Sequence, residues 1–463
     1  MLGSIRRLEA KVYDRSQVDF NHLLFTGPDL RKLLIPLIIE NMLTAFMGMA
    51  DSLMVTRVGS AAISAVSLTD SINNLVIELL QALAAGGTII CSQYIGAGNR
   101  KRSNQAARQV VLAVLVISIG IMLSCLIFRG PILRVIFGSV EPAVMTAALT
   151  YFFFTALSFP AIGLFQVGAA FYRAGGNSRF PMTVSVISNV MNIIGNSIFI
   201  FVFQWGVMGA ALSTLLSRIL AAVVLMGYLR LPRQDIVIRD YKSIRPDFSM
   251  ITRILSIGIP AGIENSMFQF GKLAIQSSVS TLGTTAIAAQ AMTIIFENLN
   301  GIGAAAVGIG LMTVAGQALG AGKLEEAKYY FLKLMWIGEM VVLISCAAVY
   351  VIAEPAMVLS GLVPEARVMS MQMLTFISLV KLVIWVPAFI IPYGLKAAGD
   401  VRFTMISSSL SMWLLRVVAA TVLIRVFGFG PIAVWIGMAL DWLVRAVLYT
   451  WRFLSGKWIH QVI

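Results

Sequence analysis

The sequence predicts an all-α polytopic membrane protein: twelve transmembrane helices built as two parallel six-helix repeats. Three observations carry that prediction, namely the composition, the recurrence of long uncharged apolar runs, and a self-similarity that returns after 224 residues. Of the 463 residues 59% are hydrophobic, the mean hydropathy is +0.88, and only 12% are Asp, Glu, Lys or Arg, where a soluble domain carries roughly 25%. Apolar runs of about 18 to 25 residues recur from end to end, each long enough to cross a hydrocarbon core of roughly 30 Å as a helix. Before the first run lie about thirty residues of mixed sequence with Arg6, Arg7, Lys11, Asp14, Arg15 and Asp19. That order is wrong for a cleaved signal peptide, so the first helix is expected to be retained and to target the chain itself.

Punctuation by Gly, Pro and charged clusters places the spans at about 32–56, 61–90, 107–128, 142–172, 181–203, 208–229, 254–280, 286–315, 331–353, 367–395, 403–425 and 431–451. With a cytoplasmic N-terminus, about 25 of the 35 Lys and Arg fall in inside segments and only Arg57, Arg129, Arg134, Arg367 and Arg425 outside. Both termini are therefore expected in the cytoplasm. The same bias accounts for the net charge of +14 without a nucleic-acid partner. The longest polar connection, 230–253, divides the chain into a cytoplasmic segment 1–31, an N-lobe 32–229, the linker, a C-lobe 254–452 and a cytoplasmic tail 453–463. Cys91, Cys125 and Cys346 lie singly inside apolar runs, which indicates neither a disulfide framework nor a zinc site.

The two halves repeat each other. Pro36-Leu-Ile-Ile-Glu40-Asn41 answers Pro260-Ala-Gly-Ile-Glu264-Asn265, and without a gap the same offset pairs Gly59 with Gly283, Thr69 with Thr293, Asn74 with Asn298, and Gln93-x-x-Gly-Ala-Gly98 with Gln317-x-x-Gly-Ala-Gly322. About 20 of 63 aligned pairs over 36–98 are identical, with polar and Gly positions in register, which apolar composition alone does not arrange. At an offset of 223, Arg173-Ala-Gly-Gly-Asn-Ser-Arg179 answers Lys396-Ala-Ala-Gly-Asp-Val-Arg402. Six is even, so both copies enter from the same side. Transporters with parallel repeats hold substrate between the halves near the midplane and alternate access by rocking one against the other.

These motifs, in this order and duplication, resemble the multidrug and toxic compound extrusion (MATE) family over nearly the whole chain, including Asn192 with Phe199-Ile-Phe201 and Gly206-Val-Met-Gly-Ala-Ala-Leu-Ser-Thr214. The resemblance implies a two-lobed, V-shaped antiporter that expels cationic amphipathic compounds in exchange for H⁺ or Na⁺. It is closer to the DinF-like branch, which carries an acid fifteen residues after the first helix's proline; that position is Asp51 here. The Asn and Asp that this branch places one turn apart in helix 5 are Asn192 and Asn196, so the second acid is missing. Where the NorM-like branch has acids in helices 7 and 10, this chain aligns Phe268 and Ala388.

An ionisable group deep in a span costs a few kcal/mol, about 2.5–3.5 on insertion scales, and so marks a functional hypothesis. Glu40 and Asp51 are eleven residues apart, three turns on one helix face. Asp51 binds the coupling cation, or else caps or pairs with a neighbouring helix. Glu40 and Glu264, each followed by Asn (Asn41, Asn265), either hold an organic cation between them or tie together the helices of their own lobe, with Lys272 a candidate partner of Glu264. Asn192 and Asn196, at i and i+4, face the same way and either complete a site with Asp51 or bond between helices. Lys381 either displaces cation from the C-lobe or neutralises Glu264. Asp70, Glu78 and Glu297 occupy the second helix of each repeat, while Asp441, one turn before Arg445, and Glu339 are expected to pair with bases.

No Gly-Lys-Ser/Thr phosphate loop follows the Gly-Ala-Gly turns, so no ATP-driven pump is indicated and no cofactor is expected beyond the coupling ion, H⁺ or Na⁺. The expectation is a plasma-membrane antiporter for small organic cations or amphipaths, working in the bilayer as a monomer. Cation coupling is assigned to Asp51, Asn192, Asn196 and Glu40, and substrate contact to Glu40, Glu264, Asn41, Asn265 and Lys381. The alternatives are a lipid-linked saccharide flippase, which would need two further spans and a basic cavity; an intramembrane enzyme, for which His22 and His460 lie outside the spans; and a receptor.

Overall fold

The computed structural model describes residues 12–459 apart from 139, 233 and 242, and the side chains of all of these except 49 and 52. Arg6, Arg7, Lys11, Arg233, Lys242 and His460 lie outside the described residues. Helix follows helix in the order the apolar runs require: α1 Gly27–Thr56, α2 Ser60–Gly96, α3 Arg100–Ile127, α4 in two parts Pro142–Leu157 and Phe159–Ala174, α5 Arg179–Asn196, and α6 Gly206–Tyr228. The second half runs α7 Phe248–Val279, α8 Thr284–Gly320, α9 Leu324–Leu359, α10 in two parts Pro364–Phe389 and Ile391–Ala397, α11 beginning Val401–Ser411 and ending Val418–Arg425, and α12 Ile432–Leu454.

Among the described residues ten helices are long and apolar enough to cross a membrane, and eleven when the two parts of α4, bent by 42°, count as one span. The twelfth expected span is α7. At 32 residues it has the length, but Glu264, Asn265, Gln269 and Lys272 interrupt its apolar run. Large apolar side chains such as Leu53, Val116, Ile127, Val383 and Val447 are exposed, as a surface that meets lipid instead of water requires.

The repeats recur in backbone detail. Gly98 and Gly322, at φ +70° and +72°, end α2 and α8 in the left-handed conformation that costs glycine nothing. In each, the next residue's N–H bonds five residues back, Asn99 to Tyr94 O at 2.9 Å and Lys323 to Ala318 O at 2.9 Å, which satisfies carbonyls a helix end leaves open. The repeated Gly-Ala-Gly is thus a helix stop. Buried α2 and α8 are the hubs: α2 packs on α3 and both parts of α4, and α8 on α9 and α10. Each fifth helix also contains a six-residue π-helical stretch, Ser197–Val202 in α5 and Met412–Val417 in α11.

The chain forms two compact units, Ile35–Gly262 and Met1–Leu34 with Ile263–Ile463. The divisions fall inside α1 and α7, within two residues or so of Pro36 and Pro260. Proline there removes an N–H from the helix ladder and loosens it locally.

Candidate functional site

Within the Ile35–Gly262 unit, α1, α2, α4, α5 and α6 enclose a cavity of about 380 Å³. Asp51 of α1 reaches it beside Thr44 and Gly48, one turn apart each. From α2 comes Asp70, from α4 Tyr151, from α5 Asn192 and Asn196, and from α6 Thr214 and Arg218. The i, i+4 spacing of the two asparagines puts both amides on the inner face. Immediately after Asn196 the helix opens into its π stretch, a device that commonly re-aims side chains at functional positions.

Asn196 Nδ2 donates to Asp51 Oδ1 at 2.8 Å. With the Asn192 amide turned so that both its ends are satisfied, its Nδ2 donates to the same oxygen at 2.7 Å and its Oδ1 accepts from Thr214 N and Oγ1, each at 3.2 Å. Two amides therefore hold one carboxylate oxygen. Asp70 Oδ1 accepts from Asn73 Nδ2 at 3.2 Å and from the Tyr151 hydroxyl at 3.3 Å. Arg218 donates from Nη1 to Ser158 Oγ at 2.8 Å and is ion-paired to neither acid. Two carboxylates and one guanidinium leave the ionised cavity with one negative charge in excess. A single proton or monovalent cation balances it, and in a low-dielectric site the uncompensated charge is costly. The donors present are carboxylate, amide and hydroxyl oxygens, which suit a hard cation.

The structure separates Glu40 from Asp51 although they share a helix face. Glu40 is buried and accepts from Arg173 Nη2 at 2.7 Å. Its repeat counterpart Glu264 pairs with Lys396 Nζ at 2.8 Å, so Lys272 is not its partner. In both cases the base comes from the last turn of the fourth helix of the same repeat. Asn41 donates to Leu37 O at 2.8 Å along its own helix, and Asn265 is half-buried beside Glu264. Lys381, with no exposed surface, pairs with Glu297 at 2.9 Å and not with Glu264. Asp441 pairs with Arg445 at 2.7 Å as the one-turn spacing predicts, whereas Glu339 makes no ion pair among the described residues.

Arg218 and Tyr151 were not singled out as site residues by the sequence. Arg218 carried a signal, as an intramembrane charge; Tyr151 carried none, because aromatic side chains are common in any helical bundle.

A MatE family model matches residues 36–198 and again 260–422, two copies at the offset of 224. The chain belongs to the MatE family. It is 28% identical over 440 residues to the probable multidrug resistance protein NorM of Thermotoga maritima, covering 94% of each chain. It is 25% identical to the multidrug resistance protein MdtK of Proteus mirabilis over 92% of this chain and 94% of that one. A solved outward-facing multidrug resistance MATE transporter shares its fold at a TM-score of 0.85 and 20% identity, over 93% of this chain and 96% of the other. This MatE chain is accordingly a multi-pass membrane transporter and not an enzyme.

Proposed function

We propose that this MatE chain is a cation-coupled antiporter of the cell membrane that exports small amphipathic organic compounds, cationic ones among them, with both termini cytoplasmic. The observation that carries the coupling is the cavity around Asp51 and Asp70, whose two carboxylates and lone guanidinium leave room for one H⁺ or Na⁺. Asp51 is the first acceptor, oriented by Asn192 and Asn196; Asp70, held by Tyr151, supplies the second negative charge that the missing helix-5 acid would otherwise bring. Phe268 and Ala388, standing where the NorM-like branch has acids, support placing the coupling in the first repeat. The multidrug names of the relatives at 28% and 25% identity support the cargo class. Binding of the cation and of the cargo to opposite-facing states, each favouring one, is what would exchange them.

The test is release of ethidium from proteoliposomes under an imposed ΔpH and, separately, under an imposed Na⁺ gradient. Acceleration by one gradient is expected, with Asp51→Asn abolishing it. No response to either gradient would sink the antiport reading, and full activity in Asp51→Asn would remove Asp51 from it.

A further inference from the structure

The corresponding region of the second repeat reverses the charge balance of the first without repeating it position for position. Shifted by the repeat offset of 224, the cavity positions Thr44 and Gly48 become Phe268 and Lys272, while Asp51 and Asp70 become Ile275 and Ile294; at 223, Ser158 becomes Lys381 and Ile193 becomes Arg416. Where the first repeat gathers two acids and one base, the second gathers Lys272, Lys381, Arg416 and Arg445 with Glu297 and Asp441, while Glu264 is taken by Lys396. Lys381 is matched to Glu297 and Arg445 to Asp441. The buried Arg416 guanidinium forms no ion pair among the described residues.

Arg416 is only 8% exposed, and its Nε finds no hydrogen-bond partner. Its guanidinium carbon lies 5.4 Å from the centroid of the Phe268 ring. Over the same ring stand Lys272 Nζ at 4.7 Å and the Arg445 guanidinium at 5.9 Å. Phe268 is half-buried and Lys272 exposed, so the cluster has an open rim and a buried floor. The π-helical stretch Met412–Val417 contains Arg416, a second mark of a built position. A ring face offsets part of the cost of burying a cation, but an unpaired guanidinium in low dielectric still carries a penalty of about several kcal/mol. A planar fork of N–H donors beside an apolar ring fits an anionic oxygen group attached to an apolar body.

We propose that the second repeat holds an anion-binding site, in which Arg416 and Lys272 take the carboxylate or phosphate group of an amphipathic molecule lying against Phe268. That this molecule is exported cargo rests on the efflux reading above; the site itself does not.

Calorimetric titration of the full chain in a neutral maltoside detergent tests the site, with 1-naphthoate and 1-naphthyl phosphate as anionic probes and 1-naphthalenemethanol as the neutral match. Saturable binding of at least one anion is expected, weakening with salt, with tenfold or greater loss in Arg416→Gln and most of it restored in Arg416→Lys. Preference for naphthoate or for the phosphate tells which group the site is shaped for. Equal binding of the alcohol, or unchanged anion affinity in Arg416→Gln, overturns the proposal. Lys272→Gln, a change at the exposed rim, is expected to weaken binding about threefold and flatten its salt dependence; should Arg416→Gln not fold, unchanged binding in this variant overturns the proposal instead. Ethidium release read in parallel separates the two claims. Anion binding without gradient-driven release keeps the site and removes the efflux reading, and gradient-driven release without anion binding does the reverse.

Discussion

Glu40 and Arg173 show why a buried acid is not by itself a binding site. Both side chains are nearly enclosed and meet at 2.7 Å, and Glu264 with Lys396 repeats the arrangement. Removing one partner strands the other charge, so Glu40→Gln is expected to destabilise the fold by about 3–5 kcal/mol. Pairing it with Arg173→Gln should recover most of that loss, as a detergent melting curve of the single and double variants will read. Asp70 behaves differently, because Tyr151 and Asn73 give it neutral donors and no base. Asp70→Asn makes the ionised cavity neutral with Arg218 still present. The expected outcome is loss of gradient-driven ethidium release with little change in melting temperature, and unaltered coupling would show that Asp51 alone suffices.

At the scale of elements, the cavity depends on how closely α6 approaches α5. A Cβ on Gly209 would lie 2.9 Å from the carbonyl carbon and 3.0 Å from the carbonyl oxygen of Phe199, backbone atoms of the π stretch that cannot swing aside. Gly195 is similarly tight against the Ser213 hydroxyl, and Ser213 Oγ donates to Asn192 O at 2.8 Å. Gly209→Val should therefore push the two helices apart, costing about 1–3 kcal/mol by overpacking and displacing Asn192 and Asn196 from Asp51. A fall in melting temperature together with weakened coupling is the expected pair of readings. A fall in stability with coupling intact would show that the asparagines tolerate the shift. The helix content itself was legible from the apolar runs, and the observed ends extend the expected spans notably at the turns where α2 runs on to Gly96 and α8 to Gly320. Those turns are polar but helical, because a Gly stop one turn later, and not the end of hydrophobicity, decides where the helix finishes.

Across the molecule, the segment before α1 is tied to α9 of the same unit. Leu24 N donates to Glu326 Oε1 at 2.7 Å, Phe25 N to the Tyr330 hydroxyl at 2.8 Å, and that hydroxyl to Glu326 Oε1 at 2.7 Å. Glu326 is buried and further paired with Lys323 at 3.0 Å. Tyr330→Phe leaves a buried amide and carboxylate short of a partner and should cost about 1–3 kcal/mol, measured as a lower melting temperature in detergent. No loss would show that water takes the hydroxyl's place. The segment thus joins the unit made of Met1–Leu34 and Ile263–Ile463, although in the sequence it precedes the other half, a link between residues some 300 apart that no local pattern announces.

Composition and the 224-residue echo were enough to establish a duplicated helical bundle in a membrane, since hydrophobic runs of spanning length and in-register polar repeats are properties of the chain alone. They were enough, too, to bring forward Asp51, Asn192 and Asn196, because spacing along single helices places side chains on a face. Partner choice was beyond them. Whether Glu264 meets Lys272 or Lys396, whether Lys381 meets Glu264 or Glu297, and that Arg218 and Tyr151 close the cavity, are matters of which helices pack together and at what depth. Those distances are set by side-chain contacts between helices far apart in the chain, so only the folded bundle decides them.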